Sequence, residues 1–221
     1  MISLKIVQKS VIISLIIQVT TTIIQLFGLF FKVSKKDEIL RSVLKIETIV
    51  QIVEGIFYIW LAYSFYKLKD VTNARYYDWI ITTPLMLLAT IVYFKYLETD
   101  KVFTLSEFVT DNKKEIGIIF VYNWLMLLFG YLGEINYINL FTSISIGFIF
   151  FSFLFCEIYE KYVTTTGAFN LFIFLIIVWG LYGISAMMDV NMKNLMYNIL
   201  DIISKNFYGL FIFYKLYLVA K

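Results

Sequence analysis

Residues 194–219 read NLMYNILDIISKNFYGLFIFYKLYLV, an apolar run long enough to cross a bilayer that carries Asp201 and Lys205 one helical turn apart. An ionisable side chain at bilayer depth costs about 2.5–3.5 kcal/mol on insertion scales, so it normally faces the interior of a helix bundle. A buried ion pair contributes little to stability, because desolvation can exceed the attraction between its charges. The pair therefore indicates a functional site inside a membrane protein rather than a structural link between helices.

Apolar blocks of the same kind recur along the whole chain. The 221 residues are 61% hydrophobic and only 16% charged, whereas about 25% of the residues of a soluble domain are charged. Each block is close to the ~20 residues that a transmembrane helix needs. The predicted helices span residues 6–31, 39–67, 74–97, 115–135, 137–161, 166–188 and 191–219. Because strand-like alternation is scarce, the sequence predicts an all-α membrane protein, a bundle of seven transmembrane helices in a single domain over residues 1–221.

Lys and Arg are unevenly distributed between the two ends of this predicted bundle. The connections after the first, third and fifth helices, together with the C-terminus, hold more of them than the other end does. Positive residues are enriched on the cytoplasmic side of membrane proteins. The pattern predicts an extracellular N-terminus and a cytoplasmic C-terminus in a multi-pass protein of the plasma membrane or another cellular membrane.

The composition excludes several chemistries. The chain has no histidine and a single cysteine, Cys156, which excludes histidine metal sites, Ser-His triads and an intramolecular disulfide. No glycine-rich phosphate loop or cluster of metal ligands is visible in the sequence, so we predict neither an enzyme nor a metal protein. The formal net charge of +3 is too diffuse to indicate a nucleic-acid partner.

The third predicted helix supplies a second acid at bilayer depth. It reads RYYDWIITTPLMLLATIVYF over residues 75–94, with Asp78 one turn from the outer end. Arg75 comes just before this acid, and Thr82 follows one turn deeper. Asp78 and Asp201 can thus face the same buried lysine, and two anions beside one cation form a counterion arrangement.

Three motifs in the expected helices resemble those of the microbial rhodopsins. They are R-x-x-D-W-x-x-T-T-P-L in the third helix, W-x-x-Y in the sixth and D-x-x-S-K in the seventh. The resemblance extends over the whole chain and implies all-trans-retinal bound to Lys205 as a protonated Schiff base. The counterion groups that it implies are Asp78, Asp201, Arg75 and Thr82. The residues that it implies along the polyene are Trp79, Thr83, Met86, Trp179 and Tyr182.

Four positions depart from the outward proton pumps of that family. Ala89 stands where those pumps have an acidic proton donor, eleven residues after the counterion. Lys193 occupies the position of one of their outer glutamates. Gly183 and Ala186 replace a proline and a tryptophan of the sixth helix. These departures leave retinal binding intact and argue against efficient pumping.

Polar residues follow one face of the first, second and seventh predicted helices. Such residues often bond membrane helices to one another, which explains the amides and hydroxyls among them. It does not explain Glu47 and Glu54, whose one evident cationic partner is Lys45 near the inner end. Glutamates that face a watery cleft attract cations. The residues predicted to line a path for ions are Glu47, Gln51, Glu54, Ser14 and Asn198.

Glutamates on the second helix are also what channelrhodopsins carry. The short chain, the compact connection after that helix and the placement of Glu47 and Glu54 make this sequence most similar to the rhodopsins of giant algal viruses. One group of these rhodopsins are light-gated cation channels. The sequence therefore predicts a light-gated cation channel, and the viral resemblance implies a membrane of an infected host. The alternatives are an outward proton pump without the usual cytoplasmic donor, a sensory rhodopsin, and a transporter without pigment. The predicted partners are retinal, the lipid bilayer and transported cations or protons, with assembly into a homo-oligomer left open.

Overall fold

The computed structural model describes residues 2–64 and 71–220. These residues contain nine α-helices: α1 Leu4–Gly28, α2 Glu38–Ser64, α3 Arg75–Glu98, α4 Leu105–Asp111, α5 Lys113–Glu134, α6 Leu140–Tyr162, α7 Thr166–Ser185, α8 Val190–Asp201 and α9 Tyr208–Val219. A 3₁₀ turn, Thr72–Ala74, leads into α3, and a π-helical segment, Ile202–Phe207, joins α8 to α9 without a break.

Six helices in the described part of the chain are long and apolar enough to cross a membrane, namely α1, α2, α3, α5, α6 and α7. The seventh crossing is the run from α8 through the π-helical segment to α9, whose α-helical parts of 12 residues each are too short to cross alone. Ile16 and Ile56 are exposed on the bundle surface, whereas Gln18 and Glu54 are fully buried. This distribution suits a bilayer, so the prediction of an all-α, seven-helix membrane protein is confirmed.

The predicted helix bounds differ from the observed ones by three residues at most where the structure describes them. Residues 65–67, predicted to end the second helix, lie outside the described residues. The sixth predicted helix is too long, because α7 ends at Ser185 rather than at residue 188. The side chain of Asp189 accepts a hydrogen bond from the N–H of Met192 at 3.2 Å and so begins α8. Apolar residues continue through this turn, which explains why hydropathy alone misplaces the boundary.

A short helix, α4, occupies the connection that the sequence analysis leaves without structure. Its N-terminus is a capping box, in which the N–H of Glu107 donates to Thr104 Oγ1 at 3.2 Å and the N–H of Thr104 donates to Glu107 Oε2 at 2.8 Å. The Thr104 hydroxyl also donates to Glu107 Oε2, at 2.9 Å. The bond from the Thr104 backbone N–H and then the bond from its hydroxyl hold the pKa of the Glu107 carboxyl below its ordinary value. Phe108 is buried and anchors the helix to the bundle.

The polar faces of three transmembrane segments meet because these segments are neighbours. The first helix, α1, packs against α2, α8 and α9, and α2 also packs against α3, α9 and the π-helical segment. Gly209 permits the close approach of α9 to α1, since a Cβ atom at this position would overlap the side-chain amide of Gln25. The interior between α1, α2 and the last helical run is therefore lined by polar side chains.

Candidate functional site

Lys205 lies in the π-helical segment and is 2% exposed. The sequence predicts an uninterrupted helix over residues 191–219, so the π-helical segment is a departure from that prediction. A π-helical turn is wider than an α-helical turn, and such turns are frequent at functional sites. The wider turn changes the direction in which Lys205 leaves the helix relative to Asp201, which periodicity alone cannot reveal.

Three carboxylates surround Nζ of Lys205. Oδ2 of Asp78 accepts a hydrogen bond from it at 2.6 Å, and Oδ1 of Asp201 lies 3.6 Å away. Oε1 of Glu54 lies 3.1 Å away, outside hydrogen-bond geometry. The sequence predicts the two aspartates here but places Glu54 only on the ion path. Glu54 reaches the lysine because α2 packs against the π-helical segment.

The sequence offers Lys45 as the one evident cationic partner of Glu54, and the structure shows a different partner. This partner, Lys205, is far away in the sequence, so the spacing within α2 could not identify it. The prediction for Glu47 also needs correction, because Lys45 is exposed on another face of α2 and no ion pair joins the two residues in the described structure.

Arg75 is fully buried and links α3 to Asp201 and Asn198 of α8. Its Nη1 lies 3.2 Å from Asp201 Oδ2, and its Nη2 donates to Asn198 Oδ1 at 2.5 Å. Asp201 also accepts hydrogen bonds from the hydroxyls of Tyr58 at 2.7 Å and Tyr182 at 2.8 Å. A carboxylate with three such donors is well stabilised in its charged form.

Asp78 has fewer partners than Asp201. Its Oδ2 binds Lys205, whereas its Oδ1 is buried without a hydrogen-bond partner among the described residues. Thr82, predicted among the counterion groups, is buried next to it, and its hydroxyl donates to the backbone oxygen of Asp78 at 3.0 Å. The two aspartates therefore differ: Asp201 is held by a network, and Asp78 depends on the lysine.

A cavity of about 120 Å³ extends from Lys205 into the bundle. All five residues predicted along the polyene lie on its wall, together with Tyr76, Met126, Leu127, Gly130, Ile144, Gly147, Phe148, Phe151, Gly183, Ala186, Tyr197 and Ser204. The wall is mostly apolar and aromatic, and the indole N–H of Trp179 is buried there without a partner in the described residues. A long apolar molecule joined to Lys205 fits such a wall.

The wall residues that the sequence analysis misses come mainly from α5 and α6, which carry no motif. One exception is Tyr197, which lies in α8. Its position one turn before Asp201, on the same helix face, is a signal that could have identified it. The ring of Trp79 packs edge-on against Tyr182 and Tyr197, with centroid distances of 5.5 and 5.1 Å. These edge-to-face contacts hold the rings in fixed orientations along the cavity.

The predicted ion-path residues divide into two groups. Ser14 and Asn198 meet at the α8 end of the bundle, where Ser14 Oγ donates to the backbone oxygen of Asn198 at 3.3 Å. At the α9 end, Glu47 and Gln51 are fully buried, and their polar atoms have no hydrogen-bond partner in the described residues. The side-chain amides of Gln18, Gln25 and Asn206 are also buried without a hydrogen-bond partner in the described residues. The structure thus pairs the polar groups at one end and leaves those at the other end unpaired.

A buried ion pair that no motif indicates closes the α8 end of the bundle. Lys193 Nζ lies 2.8 Å from Oε1 and 3.0 Å from Oε2 of Glu134, at the end of α5. Both side chains are less than 8% exposed. The sequence analysis finds no counterpart for the outer glutamates of the pumps, and the structure shows a buried glutamate here that is bound by lysine.

The family model for bacteriorhodopsin-like proteins matches residues 9–218 of this chain. Among solved structures, the viral rhodopsin OLPVRII is similar at 27% identity and a TM-score of 0.88, over 97% of this chain and 99% of that one. Exiguobacterium sibiricum rhodopsin is similar at 17% identity and a TM-score of 0.78, over 99% and 98% of the two chains. Xanthorhodopsin, a light-driven ion pump with a dual chromophore, has 16% identity and a TM-score of 0.76, over 96% and 93%.

No curated protein sequence matches the chain. The match to the family model covers nearly all of the seven-helix bundle, and the described structure is the microbial rhodopsin fold. Members of this family are photoreceptors, pumps or channels that bind retinal as their chromophore. This chain is a multi-pass membrane protein that belongs to the bacteriorhodopsin-like family.

Proposed function

We propose that this protein is a light-gated cation channel whose retinal is carried by Lys205. Retinal, when bound, would supply light absorption and isomerisation about a double bond of its polyene. The side chain of Lys205 is the attachment group that the geometry favours, because it alone among the lysines of the described chain lies on the cavity wall. The cavity residues Trp79, Trp179 and Tyr182 would hold the chromophore.

The carboxylates around Lys205 keep a positive charge at its nitrogen. At about 4 Å, one carboxylate contributes about 4 kcal/mol at an effective dielectric constant of 20. Asp78 is nearest, and its carboxylate accepts from no other group among the described residues, so it is the primary counterion and the group able to accept a proton from this position. Asp201 is held in place by its three donors, Tyr58, Tyr182 and Arg75.

The row of unpaired polar side chains at the α9 end supports the channel. A buried polar group without a hydrogen bond is costly, and ordered water is the usual remedy in such places. Water bound to Glu47, Gln51 and Asn206 would make a hydrated approach toward Lys205, and the carboxylate of Glu54 would continue it. Carboxylates along such an approach favour cations over anions.

The paired groups at the α8 end provide the closure of the path in this state. Asn198 accepts from Arg75 and donates to Ser10 Oγ at 2.7 Å, while Ser14 binds its backbone. Movement of the charge at Lys205 changes the forces on Asp201. It therefore also changes the forces on these hydrogen-bonded groups. We infer that opening requires these hydrogen bonds to rearrange.

The second candidate is an outward proton pump, and the short contact between Asp78 and Lys205 favours it. That contact provides a proton acceptor, but Ala89 is fully buried at the position of the usual donor. Xanthorhodopsin shows that the same fold supports an ion pump.

Similarity to OLPVRII is the support for placing the protein in a membrane of a virus-infected cell.

Voltage-clamp recording under illumination separates the two candidates. A channel gives photocurrents that reverse sign with membrane voltage and with the cation gradient. A pump gives outward current at every voltage, which would exclude the channel. Lys205→Ala is the control, because it removes the attachment group and with it any light-dependent current.

A further inference from the structure

Pro84 interrupts the backbone hydrogen bonds of α3. Because proline has no N–H, the carbonyl oxygen of Ile80, four residues earlier, loses its helical donor. An unpaired carbonyl is costly inside a bilayer, where water cannot satisfy it. The structure supplies a donor from another helix, since the indole Nε1 of Trp124 in α5 lies 3.1 Å from this oxygen. An indole N–H, which can only donate, replaces the missing backbone N–H.

The residue before Trp124 contacts the same turn of α3. Nδ2 of Asn123 donates to Thr83 Oγ1 at 2.8 Å, and Thr83 donates to the backbone oxygen of Trp79 at 2.6 Å. The bond from Thr83 to Trp79 lies within α3, so it does not depend on α5. The bond from Trp124 to Ile80 differs, because it ties the proline-interrupted backbone of α3 directly to α5.

This turn of α3 also carries the group nearest to Lys205. Ile80 follows Asp78 by two residues, and Asp78 Oδ2 lies 2.6 Å from Lys205 Nζ. Helix interruption at Pro84 frees this half of α3 to tilt, and the tilt determines how far the carboxylate reaches. The ring of Trp124 is 43% exposed toward lipid, a position that any large apolar side chain could occupy. The indole N–H is the feature that such a side chain would lack.

We propose that Trp124 is a positioning residue for Asp78. By bonding the carbonyl that Pro84 frees, it fixes the outer half of α3 against α5 and sets the separation between the Asp78 carboxylate and the Lys205 nitrogen. This inference concerns the geometry of the ion pair and holds for a channel and a pump alike.

Trp124→Phe tests the proposal, because phenylalanine keeps an aromatic ring and removes the N–H. Trp60→Phe is the matched control, since Trp60 in α2 is similarly exposed at 41% and packs against Phe57. In the retinal-free protein, isotope-edited infrared spectroscopy should show a shifted Asp78 carboxyl band in Trp124→Phe and an unchanged band in Trp60→Phe. An unshifted band in Trp124→Phe, or equal shifts in both variants, would overturn the proposal without bearing on the channel.

The pigment gives a second readout. A carboxylate farther from its cation is protonated more readily, so the acid-induced red shift of the visible band should occur at higher pH in Trp124→Phe. We expect a change of about half a pH unit, or a threefold change in proton affinity. Failure of the wild type to form a pigment would count against the proposed function and leave the infrared result intact.

A double-mutant cycle with Pro84→Ala makes the test specific. Alanine restores a backbone N–H for the Ile80 carbonyl, so Trp124→Phe should have little effect on either readout in the Pro84→Ala background. Equal effects in both backgrounds would contradict the mechanism. If Trp124→Phe alone does not fold, folding of the double variant supports the proposal, and its failure to fold argues against it.

Discussion

Asp78 Oδ2 lies 2.6 Å from Lys205 Nζ, although the two residues belong to different helices and are 127 positions apart. Asp201, one turn before the lysine on the same helical run, is farther from it at 3.6 Å. Among the described residues, the carboxylate of the nearer acid accepts a hydrogen bond from Lys205 alone, and the farther acid is held by Tyr58, Tyr182 and Arg75. We therefore expect Asp78 to respond to changes at the lysine and Asp201 to anchor the surrounding network.

Lys205→Ala should abolish the visible absorption that the protein acquires on addition of all-trans-retinal. Lys205 is the one lysine of the described chain on the cavity wall, so no other amine can replace it there. Absorption spectra of purified wild type and variant, expressed with retinal, provide the measurement. A coloured Lys205→Ala variant prepared without added amine would refute the assignment.

Asp78→Asn should shift the visible band to the red while the retinal linkage remains protonated. The substitution removes the nearest anion and leaves the size of the side chain unchanged, so the charge at the lysine nitrogen is less well balanced. Acidification of the wild type should cause a similar red shift. Spectra over a range of pH measure both effects, and an unchanged band in Asp78→Asn would transfer the counterion role to Asp201 or Glu54.

Glu54→Gln should alter cation selectivity or conductance. Glutamine keeps the size and hydrogen-bonding capacity of the side chain but removes a charge that lies 3.1 Å from Lys205. Because of that contact, we also expect a small spectral shift, smaller than that of Asp78→Asn. Reversal potentials in several cations measure the effect, with Glu98→Gln at the bundle surface as the control. Currents equal to wild type in every cation would remove Glu54 from the path.

Arg75→Gln should destabilise the protein by about 3–5 kcal/mol, because it leaves Asp201 buried without its cation. Lys95→Gln breaks the exposed pair with Glu98 and should change the free energy of unfolding by less than about 1 kcal/mol. Thermal denaturation of both variants in the same detergent makes the comparison. Equal melting temperatures would show that the Arg75 network does not stabilise the fold.

Glu47→Gln should leave stability unchanged or raise it, because the carboxyl of Glu47 has no hydrogen-bond partner in the described residues and is costly to bury in its charged form. Glu134→Gln, which breaks the buried pair with Lys193, should instead cost about 3–5 kcal/mol. The contrast is measured by thermal denaturation. A large loss of stability in Glu47→Gln would show that the negative charge of Glu47 is needed, as it would be for a bound cation.

The amino-acid sequence by itself determined the seven crossings, the buried lysine and its two aspartates. Hydropathy over about 20 residues is a local property, and Asp78, Asp201 and Lys205 stand out because each is a charge in an apolar block. The motifs R-x-x-D-W-x-x-T-T-P-L and D-x-x-S-K then identify a family whose members share one arrangement of helices. For these features, information within one helix is sufficient.

Beyond the pair of Asp78 and Lys205, only the tertiary structure revealed which residues of different helices meet. The contact of Glu54 with Lys205, the pair of Glu134 with Lys193 and the bond from Trp124 to Ile80 each join two helices across the bundle. These distances depend on how far each helix is rotated and tilted against its neighbour. Rotation and tilt follow from packing of the whole bundle, and the π-helical turn at Lys205 changes the register locally. Periodicity within one helix identifies a face, and packing decides what that face touches.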